Sequence, residues 1–356
     1  MRKITLSLVI IAMIVISSCS KKDSGKTTAP IITTGVYSLN QGNYGSNNTT
    51  LTYYDFTSNT ATTDYYKNVN GFGLGDTGSD FIIYGGKIYI VMNVSGNVAV
   101  ADAVTAKYID TISFINSGVN KGPENIVGYG RNVFVSSTDG TVSVIDTTTL
   151  SITKSIAVGS NPAQMAISGT NLYVSNTGAF NSNYIYDSTV SVIDLGTLAE
   201  TKKITVGTNP GSIAADNAGN IYVACTGDYA SIPATLVKVS TGTNAVTFSA
   251  DTAVGVVRFY NNNLFVTGGY LGASNVRVLS TSDFSAVKNN FVSDGTAITT
   301  PYGLDIDASN GDVYVGDAKD YSSSGTVFCF DKNGTKKFSF STAPTASPIR
   351  TMLVKH

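Results

Sequence analysis

Gly159-Ser160-Asn161-Pro162-Ala163-Gln164-Met165-Ala166-Ile167-Ser168 is followed, after Gly169-Thr170, by Asn171-Leu172-Tyr173-Val174, then by Ser188-Thr189-Val190-Ser191-Val192-Ile193-Asp194 and Lys203-Ile204-Thr205-Val206. These four segments are one full copy of the unit that decides the fold. Apolar and polar residues alternate within them, the pattern of strands with one face more buried than the other. Gly159 and Pro162 set a sharp turn into the first strand. The unit recurs at roughly 40 to 50 residues, the spacing of propeller blades.

Second-strand copies centre on Val36-Tyr37, Ile88-Tyr89, Val133-Phe134, Leu172-Tyr173, Ile221-Tyr222, Leu264-Phe265 and Val313-Tyr314. Third-strand copies run over 49–55, 96–102, 140–146, 188–194, 234–240, 274–280 and 325–331. The first copy lacks an opening strand, because Gly35 to Gln41 already reads as a second strand. Ser347-Pro348-Ile349-Arg350-Thr351-Met352-Leu353-Val354 has the form of Asn161 to Ile167 and no second strand after it. The sequence therefore predicts an all-β, seven-bladed β-propeller of four-stranded antiparallel blades, the first closed by the C-terminal strand. Eight blades or a solenoid are the competing parses.

The 356 residues would fit two ordinary domains or one large all-β domain, and the repeats favour one. Net charge is −1, 13% of residues are charged, and no Lys/Arg run follows the leader, so nucleic acid is not an expected partner. Abundant Tyr, Phe, Asn, Thr and Gly suit strands and tight turns, and no helical domain is expected.

Arg2 and Lys3 precede an apolar run from Ile4 to Ile16, and Ile16-Ser17-Ser18-Cys19 reads as a lipobox. The run is too short to span a bilayer comfortably. The expected organisation is a lipoprotein signal peptide over 1–18, a lipidated flexible tether over 19–34 beginning at Cys19, and the propeller over 35–356. Simple secretory cleavage is the alternative. A lipid and a tether anchor a protein to a membrane without spanning it. Cys225 and Cys329 each fall mid-strand and read as buried structural thiols.

His356 is the sole histidine, so triads and histidine-ligated metal sites have no central player. Asp76, Asp80, Asp228, Asp317 and Asp320 fall on predicted loops or their edges and read as turn caps in preference to metal ligands. The expectation is a binding protein without cofactor or metal, not an enzyme.

Connections from first to second strand are terse, as in Tyr84-Gly85-Gly86-Lys87. Those from second to third strand are long and aromatic, and in a propeller they share a face with the blade-to-blade turns. The predicted ligand-binding residues on that face are Tyr44, Phe72, Phe180, Tyr184, Tyr186, Tyr229, Tyr270, Tyr302, Tyr321, Asn161 and Asn209. Tyr and Phe give flat apolar surface at low rotamer cost, and Asn both donates and accepts, which suits a large, uncharged, polar-edged ligand. The plainer reading is that Tyr and Asn fill propeller loops.

Leu39-Asn40-Gln41-Gly42-Asn43-Tyr44-Gly45-Ser46-Asn47-Asn48, Tyr53-Tyr54-Asp55, Gly71-Phe72-Gly73-Leu74-Gly75-Asp76 and Ile88 to Asn93 resemble the YncE-like propeller lipoproteins of Bacteroidetes, in particular the BtuG type. The resemblance covers most of residues 35 to 354, and Ser20-Lys21-Lys22-Asp23 after Cys19 is similar to the export cluster of such lipoproteins. It implies a surface-exposed, outer-membrane lipoprotein that captures cobalamin or a related corrinoid for a TonB-dependent transporter. A surface glycan-binding protein and a structural or adhesive propeller stay open beside it.

Overall fold

The computed structural model describes residues 33–178, 185–268, 275–344 and 347–355. Within these, seven four-stranded antiparallel sheets form the blades of a propeller, each running outward from an innermost strand. The innermost strands of blades 2 to 7 are Gly78–Tyr84, Pro123–Tyr129, Pro162–Ser168, Pro210–Ala215, Val257–Tyr260 and Pro301–Ile306. Blade 1 takes its innermost strand, Pro348–Lys355, from the C-terminus and sets it antiparallel to Thr33–Asn40, with Val36 opposite Leu353 and Ser38 opposite Thr351. Each innermost strand packs on those of the adjacent blades, and the ring closes between blades 7, 1 and 2. Closure leaves no inner sheet edge open to another chain.

Local chemistry explains the repeat. Prolines open five innermost strands, where their missing N–H costs no ladder bond. Two-residue hairpins lead to the second strands of blades 2, 3, 4 and 6, and Gly85-Gly86 and Asn261-Asn262 take the left-handed φ that this turn needs. The aspartates ending third strands cap the following turn: Asp55, Asp146 and Asp194 each accept the amides two and three residues on. Those donors hold all three carboxyls below the usual range.

The repeating second-strand aromatic fills the space between blades. Tyr37, Tyr89, Phe134, Tyr173 and Tyr222 are fully buried, each contributing on the order of 2 kcal/mol of apolar burial. Three of the hydroxyls find partners at the rim of the core, Tyr37 on Val104 O (3.1 Å), Tyr173 on Asn244 Oδ1 (2.9 Å) and Tyr222 on Asp216 Oδ2 (2.8 Å), whereas the buried Tyr89 hydroxyl makes no hydrogen bond among the described residues. Cys225 and Cys329 are free and buried within this packing, and burial pushes both thiols up to about 12. They are inert at neutral pH.

Two elements among the described residues have no counterpart in the repeat, a two-stranded ribbon of Ile115–Asn116 and Val119–Asn120 and a helix. A single-turn helix, Tyr65–Asn70, lies between blades 1 and 2, with Gly71 at φ 79 ending it. So short a helix is not stable alone. The Asn70 side chain ties it to blade 2, donating to Ala106 O (2.9 Å) and accepting from Tyr108 N (2.9 Å), and Tyr66 is buried beneath it.

Candidate functional site

The long second-to-third-strand loops and the blade-to-blade turns lie at one end of the channel. Tyr44 stands on the loop of blade 1 and is 83% exposed. Gly45 N donates to Asp76 Oδ1 (3.2 Å) and Asn43 N to Asn48 Oδ1 (2.8 Å), which fixes that loop. Next to it, on blade 7, Tyr302 and Tyr321 meet edge to face with centroids 5.5 Å apart, and Tyr321 is 50% exposed. The Tyr302 hydroxyl donates to Gln41 Oε1 (3.0 Å), joining blades 7 and 1. Across the ring, Tyr186 of blade 4 and Tyr229 of blade 5 form a second edge-to-face pair at 6.2 Å, with Tyr229 48% exposed.

Three predicted residues lie elsewhere or act differently. Phe72 packs edge to face on Tyr66 (5.9 Å) and Tyr108 (5.5 Å), because the helix of residues 65–70 carries its chain to the turn at the hairpin end of blade 2. It is on the flank, away from the rim. Asn161 and Asn209 are buried turn residues at φ 48 and φ 58, a conformation Asn tolerates better than most side chains. Asn161 Nδ2 is used on Thr177 Oγ1 (2.6 Å), and the Asn209 carbonyl accepts from Thr226 N (3.0 Å). Phe180, Tyr184, Tyr270 and the lipobox at Cys19 lie outside the described residues.

Glu124, one of two glutamates in the chain, follows Pro123 at the mouth of the channel on this same face. Asn93 Nδ2 donates to its carboxylate (2.8 Å). Burial first, then the nearby Asp80 charge, push Glu124 up to about 7 against that hydrogen bond. Tyr302 is raised by burial, then by Tyr321 and Glu124, so the mouth couples blades 3 and 7 electrostatically.

Below the mouth, polar side chains link the seven blades in a closed circuit. An innermost strand has no ladder partner on its channel edge, so its inward amides need acceptors. The preceding blade supplies them. Ile126 N donates to Asp80 Oδ2 (3.1 Å), Met165 N to Asn125 Oδ1 (3.0 Å), Val257 N to Ser212 Oγ (3.1 Å) and Thr351 N to Asp305 Oδ2 (2.8 Å). Ser212 Oγ to Gln164 Oε1 (2.9 Å) joins blades 5 and 4, and Arg258 Nε to Asp305 Oδ1 (3.4 Å) joins 6 and 7. Arg350, on the C-terminal strand, completes the circle: Nη1 lies 3.2 Å from Asp305, and Nε lies 3.1 Å from Asp80 as an ion contact without hydrogen-bond alignment. Register shifts at the start of these strands aim the side chains inward.

Asp80 is thus a buried channel residue on an innermost strand, not a loop residue as its sequence context implies. Burial pushes its carboxyl up, against Arg350 and the Ile126 amide. Arg258 is lowered by burial and by Arg350, whereas Asp305 and Asp80 outweigh burial at Arg350 and raise it. The other loop aspartates cap turns. Asp228 accepts from Ala230 and Ile232 amides, Asp317 from Thr299, Thr300 and Lys319, and Asp320 from Ser322 and Ser323.

Seven closed blades around a channel crossed by one polar circuit, with aromatic loops at one end, define a β-propeller of the single-ring, C-terminally latched kind. The chain belongs to the family described as Domain of unknown function (DUF5074), whose model matches residues 34–346. No curated protein matches it. Among solved structures it is similar to a quinoprotein alcohol dehydrogenase-like protein from Bacteroides thetaiotaomicron, at 16% identity and a TM-score of 0.65 over 90% of this chain and 78% of that one. Kuenenia stuttgartiensis hydrazine synthase matches at 18% identity and a TM-score of 0.59, over 72% of this chain and 77% of that one. The computationally designed Ika8 protein matches at 14% identity and a TM-score of 0.56, over 87% and 89%. At these identities the likeness is one of fold.

Proposed function

We propose that this propeller is a capture protein, held at the outer membrane by a lipid on Cys19, that binds a large polar-edged ligand on its long-loop face. The observation that carries this reading is the grouping of exposed Tyr44, Tyr321 and Tyr229 around one mouth of the channel, with Tyr302, Tyr186 and Gln41 between and beneath them. Two aromatic pairs facing each other across the ring suit a broad, flat ligand better than a small one. Amide-edged corrinoids have that shape, and the likeness to BtuG-type lipoproteins at Leu39 to Asn48 makes cobalamin the ligand to test first. A TonB-dependent transporter would then receive it.

Calorimetry with cyanocobalamin is the test. Saturable binding is expected, with Tyr229→Ala and Tyr321→Ala each weakening it by about tenfold, the scale of an aromatic anchor lost from a binding face. A response to soluble glycans in place of cobalamin moves the same face to sugar recognition. Silence towards both ligands, or binding untouched by either substitution, contradicts the proposal.

A further inference from the structure

A cavity of about 720 Å³ runs from the circuit of polar side chains towards the first-to-second-strand hairpins, its lining including Asp80, Gln164 and Arg350 as well as Ala308 and Leu353. It lies on the opposite side of the circuit from Glu124 and Tyr302. Its walls differ from the circuit above. Two residues further along each strand, the channel-facing positions are Ile82, Val127, Ala166, Ala214 and Met352 on five blades, and Arg258 and Asp305 on the other two. The result is an apolar sleeve with a charged end.

Hydrogen-bond accounting at that end is uneven. Asp80 receives Phe81 N, Ile126 N and Asn125 Nδ2 besides Arg350. Asp305 receives Arg258, Arg350 and both the amide and the hydroxyl of Thr351. Both carboxylates are therefore fully occupied. The guanidiniums are not. Each carries five N–H donors. Arg258 uses Nε on Asp305 and Nη1 on Val257 O, and Arg350 sets Nη1 against Asp305 and Nε against Asp80 as ion contacts. Nη2 of each makes no hydrogen bond or ion pair among the described residues. Gln164 likewise accepts through Oε1 and leaves its amide N–H₂ without one. What remains unmatched at the cavity's charged end is a set of donors, and a ligand must bring acceptors.

We propose that the hairpin end of the channel is a second ligand site, for a small organic carboxylate whose oxygens meet Arg258 and Arg350 and whose apolar body lies along the Ile82–Val127–Met352 sleeve. A planar carboxylate matches the guanidinium fork, and the cavity falls within the size range of small-molecule sites. The site is separate from the long-loop face, and the two ligands do not compete.

Octanoate is the probe, titrated by calorimetry into the purified full chain, with octan-1-ol as the uncharged control. The expected result is one site with a Kd of about 1 mM or tighter and binding of octan-1-ol weaker by about tenfold. Arg258→Met should lose binding by a similar factor. Val127→Trp, which fills the sleeve and leaves the charges in place, should abolish it, and it decides the question if Arg258→Met fails to fold. Neither variant should alter binding at the long-loop face. Octanoate that does not bind, that binds no better than octan-1-ol, or that binds a folded Val127→Trp as tightly as the parent overturns the proposal.

Discussion

Replacing Arg350 with Met tests whether the C-terminal strand latches the ring by charge as well as by its ladder. The substitution keeps much of the side chain's volume and removes the guanidinium that spans Asp80 and Asp305. Asp305 retains Arg258 and the Thr351 amide, so its loss is partial. Asp80 is left with no cation in contact, at 2% exposure, held by three N–H donors. Breaking a buried pair costs about 3 to 5 kcal/mol, and those remaining donors place this case near the lower figure. For a domain this large each kcal/mol moves Tm by about 2 °C, so a fall of roughly 6 °C is expected. Arg131→Met is the control: its ion pair with Asp146 (3.5 Å) is at the surface, with the arginine side chain 79% exposed, and its loss should leave Tm essentially unchanged. The pH dependence gives a second reading. Asp80 is already raised by burial, and without Arg350 it rises further, so the folded variant takes up a proton that the unfolded chain does not. Stability lost at about pH 8 should therefore return as pH falls through the raised value towards the ordinary carboxylate range. Thermal unfolding followed by circular dichroism at several pH values is the assay. An Arg350→Met protein that melts with the parent, or whose deficit is the same at all pH values, refutes the reasoning.

Glu124→Gln should stabilise the protein above neutrality. A carboxyl raised from 4.5 to about 7 contributes stability that is full below 4.5 and lost as pH rises through 7, so the gain at about pH 8 is at most about 3 kcal/mol, and melting at pH 4.5 should be unchanged. Asn161→Ala should cost about 1 to 2 kcal/mol in denaturant unfolding, from the left-handed backbone at φ 48 and the lost contact to Thr177, whereas Asn161→Gly should recover the backbone part. Deleting residues 347–356 removes the innermost strand of blade 1 and exposes the edge of Thr33–Asn40; loss of the cooperative transition and concentration-dependent association by light scattering are expected.

Much of this fold is legible in the sequence because each blade repeats the same local choices. Leu172-Tyr173 and its six counterparts mark second strands, Val192-Ile193-Asp194 marks a third strand with its turn cap, and the match of 347–354 to Asn161–Ile167 shows where the ring closes. The helix of residues 65–70 escapes such reading because tertiary contacts through Asn70, not an apolar period, stabilise it. Phe72 is misplaced for the same reason. Asn161 and Asn209 are visible as polar turn residues, but the sequence does not say that their backbone conformation absorbs them. The channel circuit leaves a fainter trace. Asn125, Gln164, Ser212 and Arg350 each stand two residues after the proline that opens a strand, a polar position in an otherwise apolar run. Arg258 and Asp305 sit one layer deeper, out of that register, and their pairing with Arg350 depends on ring closure, which brings together residues far apart in the chain.

Hydrogen–deuterium exchange with and without cyanocobalamin tests the account most directly, because it reports which face a ligand covers. Capture on the long-loop face predicts slowed exchange over 41–48, 226–234 and 318–325, together with 299–302, and no change in the hairpins at 84–87 and 129–132. Protection confined to those hairpins, or no protection at saturating corrinoid, contradicts it.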